Sequence, residues 1–248
     1  MTDFIFEPDT AAVASLLGGF IEANLVGKII VFIQLGSSIV AAAVIIGKSK
    51  ELNSISRNSR RFMREFLSGS DVLDYYLRRK KNMKSSLGLI YARTCERMVK
   101  LLDPESRRSV IGRQPTGGSA ALSSKEIELV RGTCEHVLHE QEIRVEYGMG
   151  LLATIVTASP MLGLLGTVWG VMDAFGTMGE KGTVLLSEIA PAISSALMTT
   201  VVGLMVAIPS AIFYNSLAGK ARNLTNDMEG FSDELMGRIA CEFQGRDI

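Results

Sequence analysis

The chain has 248 residues, 47% of them hydrophobic, with 26 Lys+Arg set against 26 Asp+Glu and three cysteines. Net neutrality argues against a nucleic-acid binder, and cysteines without paired spacing argue against a disulfide framework. The apolar residues gather in three long uncharged runs, 29–47, 147–172 and 189–219, instead of spreading as a soluble core would spread them.

Residues 1–24 carry Asp3, Glu7, Asp9 and Glu22 and no base, the opposite of a signal-peptide n-region. Within them "AAVASLLGGFIEA" is apolar but too short to span with ease. It predicts an amphipathic helix on the outer membrane surface, with Lys28 snorkelling at the headgroups.

At about 1.5 Å per helical residue, each uncharged run reaches or approaches the roughly 30 Å of a hydrocarbon core. We therefore expect an all-α membrane protein with three transmembrane helices at 25–47, 147–172 and 189–214. Lys48, Lys50, Arg57, Arg60, Arg61 and Arg64 follow the first run closely, whereas Lys28 and Lys181 are the only bases in the N-terminal segment and the loop after the second run. The positive-inside bias then puts the N-terminus (1–24) outside, the middle segment (48–146) in the cytoplasm, a short loop (173–188) outside, and the C-terminal helix (215–248) in the cytoplasm. Long cytoplasmic helices thus extend the spans.

Between 48 and 102 the apolar positions Phe62, Phe66, Leu73, Leu77, Leu87, Ile90 and Met98 recur at helical spacing. The basic stretch "RRKKNMK" at 78–84 lies among many acids and reads as a solvated or lipid-facing patch, with no nucleic-acid site. Two prolines and clustered Gly/Ser make 103–120 a loop. Ser123 or Ser124 then caps a helix with Glu126 and Glu128 in its first turn, and we expect that helix to run unbroken into the second span. Past the third run, Leu217, Leu224, Met228, Phe231, Leu235 and Ile239 keep a helical stripe that must face a partner or a bundle. Cys95, Cys134 and Cys241 are expected to be free thiols in a reducing compartment.

The second and third runs are unusually rich in small and polar residues. Gly163, Gly166 and Gly170 sit at three- and four-residue spacing with Thr167 among them, and Ser194, Ser195, Thr199, Thr200 and Gly203 follow in the third run. Small residues let helix backbones approach closely in lipid, while hydroxyls on two neighbouring helices can line a narrow hydrated path. Composition fits packing and pore lining equally. Pro160 and Pro209 each free a carbonyl one turn back. No span carries a carboxylate in its middle, since Asp173 and Glu188 lie near the outer interface, so any proton path needs an acid from another chain. His136 and His139 with Cys134 and Glu135 lack a second ligand cluster and read as surface positions. No nucleophile constellation, phosphate loop, metal site or cofactor site is expected, and hence no enzyme.

The motifs "SPMLGLLGTVWGVMDAF" at 159–175 and "PAISSALMTTVVGLMVAIPSAIFYN" at 191–215 together resemble the second- and third-helix signatures of the TolQ/ExbB/MotA proton-channel family, with Trp169 on the TolQ side. The resemblance extends to the three-span layout of the whole chain. It implies a multi-pass protein of the bacterial inner membrane, forming a homo-oligomer, a pentamer, whose second and third helices line a central pore. It further implies a TolR/ExbD-like single-span partner that brings the proton-carrying Asp, and a TolA/TonB-like envelope-spanning protein that receives the work. By motif position the pore threonines fall on Thr167 and Thr200. Where TolQ and ExbB carry a glutamate early in the third helix, this sequence has Ser195, in keeping with a carboxylate supplied by the partner. The expected function is a proton-channel motor subunit of a Tol-Pal-like system. An ExbB-like energiser of TonB-dependent transport is the runner-up, a flagellar-type stator comes third, and a non-conducting membrane scaffold is the alternative of another class.

Overall fold

The computed structural model describes residues 20, 24–67, 72–73, 76, 85–104, 122–182 and 185–243. The expected N-terminal amphipathic helix, apart from Phe20, the basic stretch at 78–84 and nearly all of the expected loop at 103–120 lie outside the described residues. Every regular helix or strand described is an α-helix: α1 Leu25–Leu67, α2 Ser86–Leu101, α3 Ser124–Glu146, α4 Met149–Lys181 and α5 Leu186–Phe243. Three stretches, α1, α3 with α4, and α5, are long and apolar enough to cross a membrane.

Helix boundaries follow local chemistry. Asn24 accepts from Gly27 N at 2.8 Å and so caps α1. Ser85 accepts from Gly88 N at 3.0 Å to start α2. Ser123, not Ser124, is the N-cap of α3, in a capping box with Glu126, whose carboxylate accepts from the Ser123 backbone at 2.9 Å.

Two boundaries differ from the sequence expectation. The α3 helix does not run unbroken into the second span, because Tyr147 and Gly148 interrupt it. Gly148 takes φ +84°, a left-handed conformation open to glycine and costly for other residues. Nor does α4 stop where its apolar run stops, at Met172. It continues to Lys181 and ends at Gly182 with φ +78°, so most of the loop expected at 173–188 is helical. Loss of hydrophobicity ends a membrane segment, whereas ending a helix takes a breaker, and 173–181 contains no proline.

The chain divides into two compact units. The first comprises residues 1–47 and 148–216 and holds the apolar parts of α1, α4 and α5. Many of its large apolar side chains point outward, Phe32, Ile39, Met161 and Ile212 among them. That surface suits lipid or neighbouring subunits and not water.

The second unit comprises residues 48–147 and 217–248. Its core is an aromatic cluster: Phe231 meets Phe62 and Phe66 edge-on at 5.6 and 5.2 Å between centroids, and Tyr91 lies 5.7 and 5.6 Å from the same two rings. The stripe of Leu217, Leu224, Met228, Phe231, Leu235 and Ile239 is buried, and Phe231 brings it into this cluster. Arg238 places its guanidinium over the Phe66 ring, 4.9 Å from the centroid. Tyr91 donates its hydroxyl to Val72 O and accepts from Tyr76 N. Lys48 is buried, pairs with Glu51 at 3.0 Å and donates to Arg144 O at 3.1 Å, tying α1 to the last turn of α3. A cation there also suits the negative end of the α3 dipole.

Cys95 and Cys134 are buried and Cys241 is exposed. Burial pushes the Cys95 thiol up, away from its nucleophilic thiolate form. Cys134 packs its sulfur 3.1 Å from the Ser232 hydroxyl. Maleimide labelling of the folded protein at neutral pH is therefore expected to modify Cys241 rapidly and the other two only after denaturation. Fast labelling of Cys95 without denaturant would contradict this core.

Candidate functional site

Thr167, Thr199 and Thr200 of the first unit converge where α4 crosses α5. The crossing is tight because glycines form it. A methyl built on Gly163 would lie 2.9 Å from Thr200 Cα, one on Gly166 would lie 2.3 Å from Thr199 Oγ1, one on Gly170 would lie 2.5 Å from Ala196 Cβ, and one on Gly203 would lie 2.6 Å from Ser159 O. Real Cβ atoms essentially never come so close, so the two backbones meet at a distance that hydrogen alone permits.

That approach brings hydroxyls of one helix within reach of carbonyls of the other. Gly163 O receives Thr199 Oγ1 at 3.1 Å and Thr200 Oγ1 at 3.0 Å from α5, and Thr167 Oγ1 at 3.2 Å from its own helix. Ala196 O receives Thr167 Oγ1 at 3.1 Å and Thr199 Oγ1 at 2.7 Å. Thr167 and Thr200 hydroxyls are 2.5 Å apart. Each hydroxyl has one proton to give, while several acceptors stand in range. More than one pattern of donation is therefore available, which is what a chain of reorienting hydroxyls needs to hand a proton on. No hydroxyl here can itself release a proton at neutral pH. Thr199 is fully buried, and Thr167 and Thr200 are half-buried.

Ser195, by contrast, stands apart from the cluster. Its hydroxyl donates back to Ala192 O at 3.1 Å, the usual local bond of a helical serine. Pro160 lies within α4 and Pro191 and Pro209 within α5. Ser210, just after Pro209, donates to Val206 O at 2.7 Å. Asp173 is exposed and accepts from Asn24 Nδ2 at 3.4 Å, and Glu188 is exposed in the first turn of α5. His139 sits on an open face of α3, 3.3 Å from Glu142.

Sequence reasoning missed Gln34. Its side chain is fully buried, and Nε2 donates to Ser159 O at 3.3 Å, joining α1 to the α4–α5 crossing. The available signal was a lone amide in the uncharged run 29–47. A buried carboxamide in apolar surroundings is costly unless bonded, which makes it informative wherever it occurs.

Residues 107–230 match the MotA/TolQ/ExbB proton channel family. The Tol-Pal system protein TolQ of Haemophilus influenzae is 30% identical over 220 residues, covering 87% of this chain and 90% of the relative. TolQ of Pseudomonas aeruginosa is 25% identical over 229 residues, 92% of this chain and 94% of the relative. The biopolymer transport protein ExbB of Neisseria gonorrhoeae is 38% identical over 96 residues, 39% of this chain and 44% of the relative. A match that takes in α4 and the apolar part of α5, with similarity along nearly the full length of a relative, means that this chain belongs to the MotA/TolQ/ExbB proton channel family.

Proposed function

We propose that this protein is the multi-span subunit of an inner-membrane complex that converts the proton motive force into work on the cell envelope, in a Tol-Pal-like system. The observation that carries the reading is the threonine cluster at the α4–α5 crossing, where three hydroxyls share one carbonyl. The Tol-Pal assignment is supported by similarity to TolQ across 87% of the chain, against 39% for ExbB. An ExbB-like role in TonB-dependent transport is the second reading, favoured by the higher identity over that shorter region.

In this reading the N-terminus is outside and the second unit is cytoplasmic. Copies of the chain form a ring, as a pentamer, with α4 and α5 facing a central pore. Thr167 and Thr200 present half-buried hydroxyls to a single-span TolR/ExbD-like partner, whose Asp carries the proton. Thr199 supports the cluster from within. Ser195, whose hydroxyl bonds within α5, brings no carboxylate, so the ionisable group rests with the partner. A TolA/TonB-like protein receives the motion. Each proton crossing 100 mV releases about 2.3 kcal/mol, so a few protons per step suffice for a mechanical movement. The chain itself performs no covalent chemistry.

Proton flux into liposomes containing this chain with and without the partner tests the reading. Partner-dependent flux is expected, and Thr167→Val/Thr200→Val, which keeps shape but removes both hydroxyls, should lower it at least tenfold. Full flux in the double variant would exclude the threonine path. No flux from a verified complex would favour a scaffold.

A further inference from the structure

Gln34 is the one residue of α1 that reaches the α4–α5 crossing with a polar side chain bonded there. Its Nε2 donates to Ser159 O at 3.3 Å and lies in a slot left by two glycines: a methyl on Gly203 would come 2.8 Å from Nε2, and one on Gly163 3.4 Å. The other end of the carboxamide, Oε1, is buried and accepts no hydrogen bond from the protein. A leucine or methionine could fill similar volume without burying an unmatched acceptor. Packing is therefore an insufficient reason for a glutamine at this position. The slot also adjoins the residue whose carbonyl collects the three threonine hydroxyls, because Gly163 is common to both.

We propose that Gln34 is a hydrated positioning residue of the proton path: Nε2 keys α1 to the crossing, and Oε1 accepts from a water that continues the hydroxyl chain toward the first span. The proposal rests on the channel reading. An amide neither gains nor loses a proton under ordinary conditions, so Gln34 orients water and does not relay by titrating. Buried polar atoms that find no partner in the protein are commonly matched by an ordered water.

Water-edited solid-state NMR of the wild-type chain in lipid, with glutamine side chains labelled, reads this atom directly. Gln34 is distinguished from Gln114, Gln141 and Gln244 by the signal lost in Gln34→Met. If that variant does not assemble, sequential assignment of the wild-type chain identifies the same signal. Rapid magnetisation transfer from water to the Gln34 carboxamide is expected. A Gln34 signal without transfer, in a sample whose exposed backbone amides show it, would overturn the proposal. In liposomes with the partner, Gln34→Met should lower flux at least tenfold while oligomer size stays that of wild type. Unchanged flux in Gln34→Met would reduce Gln34 to a packing role and also overturn the proposal. Absent flux in the wild-type complex would instead count against the channel reading, and the water contact would still decide whether the site is hydrated.

Discussion

Gly203→Ala is expected to destabilise the α4–α5 crossing by about 1–3 kcal/mol, the range for a group forced into a filled core. The new methyl would meet Ser159 O at 2.6 Å and Gln34 Nε2 at 2.8 Å, and the first of these is backbone that cannot rotate aside. The helices must separate, and separation also lengthens the bonds that Thr199 and Thr200 make to Gly163 O. Denaturation of the purified protein in detergent, followed by helicity, should show the loss, together with reduced partner-dependent flux. Gly170→Ala supplies a cleaner test. Its methyl would meet the Ala196 methyl at 2.5 Å, and Ala196→Gly removes that methyl. The double variant should recover stability relative to Gly170→Ala alone, with a favourable coupling of roughly 0.5–3 kcal/mol. Additive losses would mean that the two helices do not meet at this pair. Gly176 has nothing within 4 Å of a built methyl, so Gly176→Ala should be neutral or stabilising by roughly 0.5–1 kcal/mol.

Phe231→Ala should cost about 3–5 kcal/mol in the second unit, the range for truncating a buried phenylalanine. The ring is 1% exposed and is packed by Phe62 and Phe66, so the hole it leaves is bounded by aromatic groups that cannot easily collapse into it. Phe66 would lose support on one face while Arg238 remains over its ring. Limited proteolysis and thermal unfolding are the measurements, and Phe231→Leu should recover more than half of the loss. A Phe231→Ala protein as resistant as wild type would remove this cluster from the core.

Gly203→Ala and Phe231→Ala separate kinds of information that the amino-acid order carries unequally. The burial of Phe231, Leu235 and Ile239 is legible from spacing alone, because a 3.6-residue repeat puts them on one face whatever that face meets. The Ser123 and Glu126 box is legible for the same reason, as its bonds span three residues. The apolar runs, the small-residue spacing and the paired motifs at 159–175 and 191–215 were equally open to reading, and they carried the family.

What sequence order left undecided is long-range and depends on where two helices cross. Thr199 and Thr200 find Gly163 O across separations of 36 and 37 residues, while Ser195, four residues before Thr199, bonds only within its own helix. Gln34 meets Ser159 across 125 residues, a contact that no periodicity in α1 announces. The continuation of α4 to Lys181 and the break at Gly148 turn on backbone conformation, to which hydropathy is blind. Local patterns thus decided which faces are apolar and what family the chain resembles, and only the close approach permitted by Gly163, Gly166, Gly170 and Gly203 decided which hydroxyls share a carbonyl.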